Sequence, residues 1–161
     1  MRTRCRKRAA TAGALAFLVF VFAPVAVAVD CLDEVFIAGD DAHDDFGCSV
    51  DVAPDGTVWV VWTNNGATGR LDEDVVYSFN DGSGWSTPEL IHPENGRMDY
   101  LPEISIGGDG VPWVIWMDIT AEEGYRLRAS HWTGTEWAPG ETVREGCGRY
   151  DSFDIVAADS E

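Results

Sequence analysis

The feature that most constrains this chain is that it repeats itself. FGCSVDVAPDGTVWVVWTN (46 to 64) and YLPEISIGGDGVPWVIWMD (100 to 118) align without gaps at an offset of 54, placing Asp55-Gly56 on Asp109-Gly110, Trp59 on Trp113 and Trp62 on Trp116. Further along, SFNDGSGW (78 to 85) falls on SHWTGTEW (130 to 137) at an offset of 52. The two-residue difference lies between Thr63 and Asp74, opposite Met117 to Arg126, so that segment reads as a loop. Self-similarity at such a period is the mark of a repeat architecture, in which each unit buries its apolar faces against its neighbours.

Each repeat reads as four short strands. In the first they are 47 to 53, 57 to 63, 74 to 79 and 87 to 91, and in the second 101 to 107, 111 to 117, 125 to 131 and 139 to 144. Asp-Gly between the first two strands of each repeat is a hairpin signal. VWVVW (58 to 62) is apolar on both faces, since Val58, Val60 and Trp62 point one way and Trp59 and Val61 the other. A sheet covered on both sides by neighbouring sheets, with about 50 residues per four strands, describes a β-propeller blade. The expected fold is therefore all-β: a partial β-propeller of about two complete blades with fragments of the flanking ones. Residues 29 to 45 form a linker and, at EVFIA (34 to 38), the last strand of a preceding blade. Residues 46 to 98 and 99 to 148 are the two blades, and 149 to 161 starts a third. Closed propellers have 4 to 8 blades, so the expected partners include remaining blades or copies of the chain itself.

The N-terminal segment reads as a signal peptide. Basic residues in MRTRCRKR (1 to 8) precede an apolar run from Ala14 to Phe22, and Ala26-Val27-Ala28 supplies a cleavage pattern. The alternative is an uncleaved anchor, since Ala9 to Val29 lacks charge. Cleavage after Ala28 leaves a secreted chain with no membrane anchor. Six arginines then face 28 acidic residues, for a net charge of −22 with no lysine. Such a surface repels nucleic acid and anionic membranes. Cys31, Cys48 and Cys147 remain after Cys5 departs, an odd number in a compartment that permits disulfides. Cys31 with Cys48 is one candidate pair.

SFNDGSGW resembles the Asp-box, or BNR repeat, Ser-x-Asp-x-Gly-x-x-Trp, of sialidase-like β-propellers, with Asn80 in the Asp position. The second copy keeps Ser130, Gly134 and Trp137 and carries Trp132 there, so both boxes are degenerate. Ser78, Asn80, Gly82, Trp85, Ser130, Gly134 and Trp137 are expected to be structural, bracing the hairpin between the third and fourth strands. That end of a four-stranded meander lies opposite the connections from one blade to the next, where the family's sites are found.

Those connections repeat as well. His43-x-Asp45, Arg97-x-Asp99 and Arg149-x-Asp151 recur just before the first strand of each unit. One reading makes His43, Asp45, Arg97, Asp99, Arg149 and Asp151 ligand-binding groups for a carboxylate or sugar hydroxyls; the other makes them a repeated brace. The resemblance implies, for a catalytic sialidase, three arginines, a Tyr activated by a Glu, an Asp acid/base and an Arg-Ile-Pro tripeptide. This chain lacks the tripeptide, and no motif assigns Tyr77, Tyr100, Tyr125 or Tyr150, so no catalytic residue is transferred. DDAHDD (40 to 45) lacks the spacing of a calcium loop, and His43, His92 and His131 lack zinc spacing, so no metal or other cofactor is expected, with calcium as the alternative. Trp132 reads either as a sugar-stacking platform or as peripheral packing. The expectation for function is recognition of an extracellular glycan or polymer; the alternatives are a fragment of an exo-glycosidase and a purely structural or protein-binding array.

Overall fold

The computed structural model describes residues 37, 44–65, 73–93, 95–120, 122, 124–148 and 152–158. The segment read as a signal peptide, most of residues 34 to 43, and residues 149 to 151 lie outside these. Eight strands form two four-stranded antiparallel sheets, each in simple sequential order. The first holds β1 (Asp45–Val52), β2 (Val58–Asn64), β3 (Asp74–Asn80) and β4 (Glu89–Leu90). The second holds β5 (Met98–Ile106), β6 (Pro112–Thr120), β7 (Gly124–His131) and β8 (Glu141–Cys147). No helix occurs among the described residues.

The repeat extends to the backbone. β1 and β2 slip register between Phe46 and Ser49, and β5 and β6 do so at the equivalent step between Tyr100 and Glu103. The residues at these bulges are Gly47 and Leu101, with φ of 61° and 54°. A left-handed residue at a bulge is ordinary for glycine and strained for leucine, by roughly 1–2 kcal/mol. Both Asp-Gly turns also match: Thr57 N and Val111 N donate to Asp55 Oδ1 and Asp109 Oδ1 at 2.8 and 3.0 Å.

One expectation needs correction. The segment from Met117 to Arg126, read as loop, is mostly ladder, with Asp118 opposite Arg126, Ile119 opposite Tyr125 and Thr120 opposite Gly124. The second hairpin is shorter here by two residues, yet its ladder runs two pairs beyond Asp118–Arg126, the equivalent of Asn64–Asp74. An opposite-charge pair directly across the strands stabilises that extension.

The two sheets pack face to face. Trp59 and Val61 of β2, Val75 and Tyr77 of β3 and Ile91 meet Ile104 of β5, Val114 and Trp116 of β6, and Trp137. Trp132 is half-buried in this seam, 5.3 Å from the Trp59 ring and 5.8 Å from Tyr77. It packs rather than standing free as a platform. A polar row runs beside the apolar seam. Ile104 N donates to Ser49 Oγ at 3.2 Å, and Ile106 N to Asp51 Oδ2 at 2.8 Å. These bonds stitch β5 to β1 through side chains, because no backbone ladder joins the sheets.

Candidate functional site

The turns that drew attention in the sequence are occupied with their own backbone. Ser78 is fully buried, and its hydroxyl donates to the Ser86 carbonyl at 2.9 Å, while Gly82 N donates to Asn80 Oδ1 at 2.8 Å. Asn80 and Trp85 close the turn as a bridge. In the second turn Ser130 Oγ donates to the Ala138 carbonyl at 2.6 Å, and Trp132 bridges Trp137. Trp132 has no carboxamide to offer there, and Thr133 Oγ1 instead donates to the Glu136 carbonyl at 2.7 Å. Gly82 and Gly134 have φ of 97° and 103°, which a side chain resists.

At the opposite end of the sheets a second repeated device appears. Trp62 Nε1 donates to Asp45 Oδ1 at 3.0 Å, and Trp116 Nε1 donates to Asp99 Oδ1 at 2.7 Å. The aspartate at the start of each sheet thus fixes the last tryptophan of the next strand. Asp45 also accepts from Asn64 Nδ2 at 2.8 Å. Asp99 is fully buried and accepts in addition from Asn95 Nδ2 at 2.9 Å.

Around the second of these braces the chain builds a cleft of about 390 Å³. Three guanidiniums converge there on one buried carboxylate, Asp118. Arg126 Nη2 donates to Asp118 Oδ2 at 2.8 Å, Arg97 Nη1 donates to Oδ1 at 3.3 Å, and Arg128 Nη1 lies 3.7 Å from Oδ2. β7 aims Arg126 and Arg128 at the same face because they are two residues apart in a strand. Their cross-strand partners are Asp118 and Trp116. Arg128 also donates through Nη2 to the Gly140 carbonyl. Gly140 is the one position at which these groups admit no side chain, since a Cβ would stand 2.9 Å from the Trp116 ring and 3.0 Å from Arg128.

His92 forms the wall opposite. Its ring stacks on Trp116 at 5.6 Å and its Nε2 lies 3.1 Å from Asp99 Oδ2. Burial opposes charge on the imidazole, yet the hydrogen bond to Asp99, the Pro93 carbonyl and the carboxylates of Asp99 and Asp74 outweigh it, and the His92 pKa is raised above the ordinary histidine value. Three arginines thus gather beside Asp99 and Asp118 in a chain of formal net charge −17, with the Asp74 carboxylate close enough to act on His92.

An adjoining cleft shares His92 and Pro93 and contains Tyr77 and Glu89. Tyr77 Oη donates to Glu89 Oε2 at 3.0 Å. Burial, then the Glu89 hydrogen bond and charge, push the phenol up to about 12. Tyr77 is thus a neutral phenol packed among aromatic rings at neutral pH.

Of the residues singled out by the Arg-x-Asp repeat, the structure brings Arg97 and Asp99 to this cleft and places Asp45 in the equivalent brace of the first sheet. His43, Arg149 and Asp151 lie outside the described residues. The sequence reading missed Asp118, Arg126, Arg128, His92 and Gly140. A signal was present: at the positions equivalent to Asp118, Arg126 and Arg128 the first repeat has Asn64, Asp74 and Val76, so the cleft is built where the second repeat departs from the first. Cys48 and Cys147 are thiols, and Cys31 lies outside the described residues. No cluster of three or more metal-ligating side chains occurs among the described residues.

No protein-family model and no curated protein matches the chain. Among solved structures it is similar to the Hadza microbial sialidase Hz136, with a TM-score of 0.51 and 11% identity over 62% of this chain. The match spans 26% of that protein, so the chain corresponds to about a quarter of its length. The two-sheet, all-antiparallel arrangement described above is therefore a sialidase-like β fold.

Proposed function

We propose that the two sheets are consecutive blades of a secreted, sialidase-like β-propeller, and that the cleft around Asp118 recognises an extracellular glycan through an anionic group. The observation that carries this reading is the gathering of Arg97, Arg126 and Arg128 on a single buried carboxylate beside an open cleft. Guanidiniums bind carboxylates through paired, charge-assisted hydrogen bonds. Arg128 Nε, buried at the back of the cleft, has no hydrogen-bond partner. Asp118 acts as the resting counter-ion that keeps the arginines aimed. Asn95, exposed at the rim, supplies a further polar group suited to sugar hydroxyls.

Recognition is favoured over hydrolysis by the state of Tyr77, the tyrosine of the adjoining cleft. Tyr77 and Glu89 make the contact that an activated tyrosine needs, but burial holds Tyr77 as a phenol. A glycan array probed with wild-type protein and with Arg126→Ala tests the reading. Binding confined to carboxylate-bearing glycans and weakened at least about tenfold in the variant, equivalent to the ~1.5 kcal/mol of one charged hydrogen bond, is expected. Binding that ignores the carboxylate, or that survives in Arg126→Ala, excludes the cleft as the site.

A further inference from the structure

The end of the sheets that carries the hairpin turns holds charge of one sign. Its turns contain Asp55, Asp81, Asp109 and Glu136, and none of the described arginines, Arg97, Arg126, Arg128 and Arg144, belongs to them. Between these turns opens a cleft of about 310 Å³ whose walls come from both sheets, with Asp55, Trp59, Phe79 and Asp81 on one side and Trp132 on the other. Phe79 and Trp132 are half-buried and lie 4.9 and 5.3 Å from the Trp59 ring, so the floor is aromatic. Trp132 stands where the first repeat has Asn80, whose carboxamide braces its own turn. The second repeat gives up that brace and places a ring in the cleft.

Asp55 and Asp81 form the rim. Both are exposed, and the charge of Asp81 is close enough to be felt at Asp55. Hydrogen bonds from Thr57 and from Ser83 hold the two carboxyls below the usual range, so both are anionic at neutral pH. Ring faces attract positive charge, and carboxylates accept strong hydrogen bonds from a cation's edge.

We propose that this cleft docks an arginine side chain presented by an extended, basic segment of a partner protein. The guanidinium stacks by its face on the aromatic floor and gives its edge donors to Asp55 and Asp81. Lysine, a hydrated point charge, cannot serve both surfaces at once. Charge complementarity selects the partner, because a chain of formal net charge −17 with acidic turns at this end draws basic segments toward it. The cleft lies at the opposite end of the sheets from Asp118, and the inference is independent of the glycan reading.

Heteronuclear NMR of the full chain, following the backbone amides of Gly110 and Gly134 in the cleft, tests it. The probes are blocked pentapeptides, Gly-Gly-Xaa-Gly-Gly, with Arg, Lys or the neutral citrulline at the centre. The Arg peptide is expected to shift these amides saturably, the Lys peptide to bind at least about threefold more weakly, and the citrulline peptide not to bind. Asp55→Asn with Asp81→Asn keeps the oxygen that each turn needs, removes the charge, and is expected to weaken the Arg peptide at least about tenfold. Glu141→Gln with Glu145→Gln removes as much charge from the exposed strand β8 and is expected to change little. Trp132→Leu, at unchanged charge, is expected to weaken binding about fivefold. Phe79→Leu takes its place if circular dichroism shows that variant unfolded. An Arg peptide that shifts nothing, equal binding of the Lys or citrulline peptide, a double Asn variant no weaker than the double Gln one, or a folded ring variant that binds as the wild type does overturns the proposal.

Discussion

Asp99 shows how one side chain ties architecture to chemistry. It fixes the Trp116 indole, which walls the cleft and belongs to the seam, and it holds His92 over that ring. Because the folded-state pKa of His92 is raised, protonation stabilises the fold; that contribution is complete below the unfolded value near 6.5 and is lost as pH rises through the folded value. His92→Gln is therefore expected to narrow the stability difference between mildly acidic and mildly alkaline solution, as read by urea melts across that range. An unchanged pH profile would remove His92 as its source. Gly140→Ala is expected to destabilise by about 1–3 kcal/mol, since the new methyl overlaps a tryptophan that cannot retreat from Asp99. It should also distort the Arg128 contact and weaken glycan binding, whereas Ala at Gly134, where a Cβ meets nothing, acts only through φ. Chemical denaturation of both variants checks the contrast.

At the scale of elements, the hairpins, their Asp-Gly turns and the alternating faces were legible in the sequence because they follow from local chemistry and period-two burial. Ser78 and Ser130 are the clearest case, buried at equivalent positions and donating to equivalent carbonyls eight residues on. Ser78→Ala and Ser130→Ala are each expected to cost about 1–3 kcal/mol, the loss of a buried hydrogen bond that leaves its acceptor unpaired, and thermal melts should show similar shifts. The extension of β6 and β7 was not legible. Aligning the repeats marks a length difference of two residues, with the second repeat the shorter, but cannot say how far the ladder of either hairpin runs. The pairs Ile119–Tyr125 and Thr120–Gly124 decide that, and they are cross-strand facts. The cleft was hidden for the same reason: Arg97, Asp118, Arg126 and Arg128 come together only when β5, β6 and β7 lie side by side. The Arg97-x-Asp99 pattern found one corner of it. Leu101 could not have been foreseen as a bulge residue either, since only its alignment with Gly47 hints at a left-handed backbone.

For the whole molecule, the repeat does two things. It stacks the two sheets through one apolar seam. It also provides a uniform scaffold against which departures are informative, and the arginine-bearing cleft in an acidic chain is one such departure. The most direct test of the central claim is a calorimetric titration of the intact protein with an acidic oligosaccharide and with its carboxyl-reduced, neutral counterpart. Saturable binding of the acidic sugar alone, weakening as salt is raised and lost in Arg126→Ala, is expected. Equal binding of the neutral sugar, or binding of the acidic one unaffected by Arg126→Ala, would contradict it.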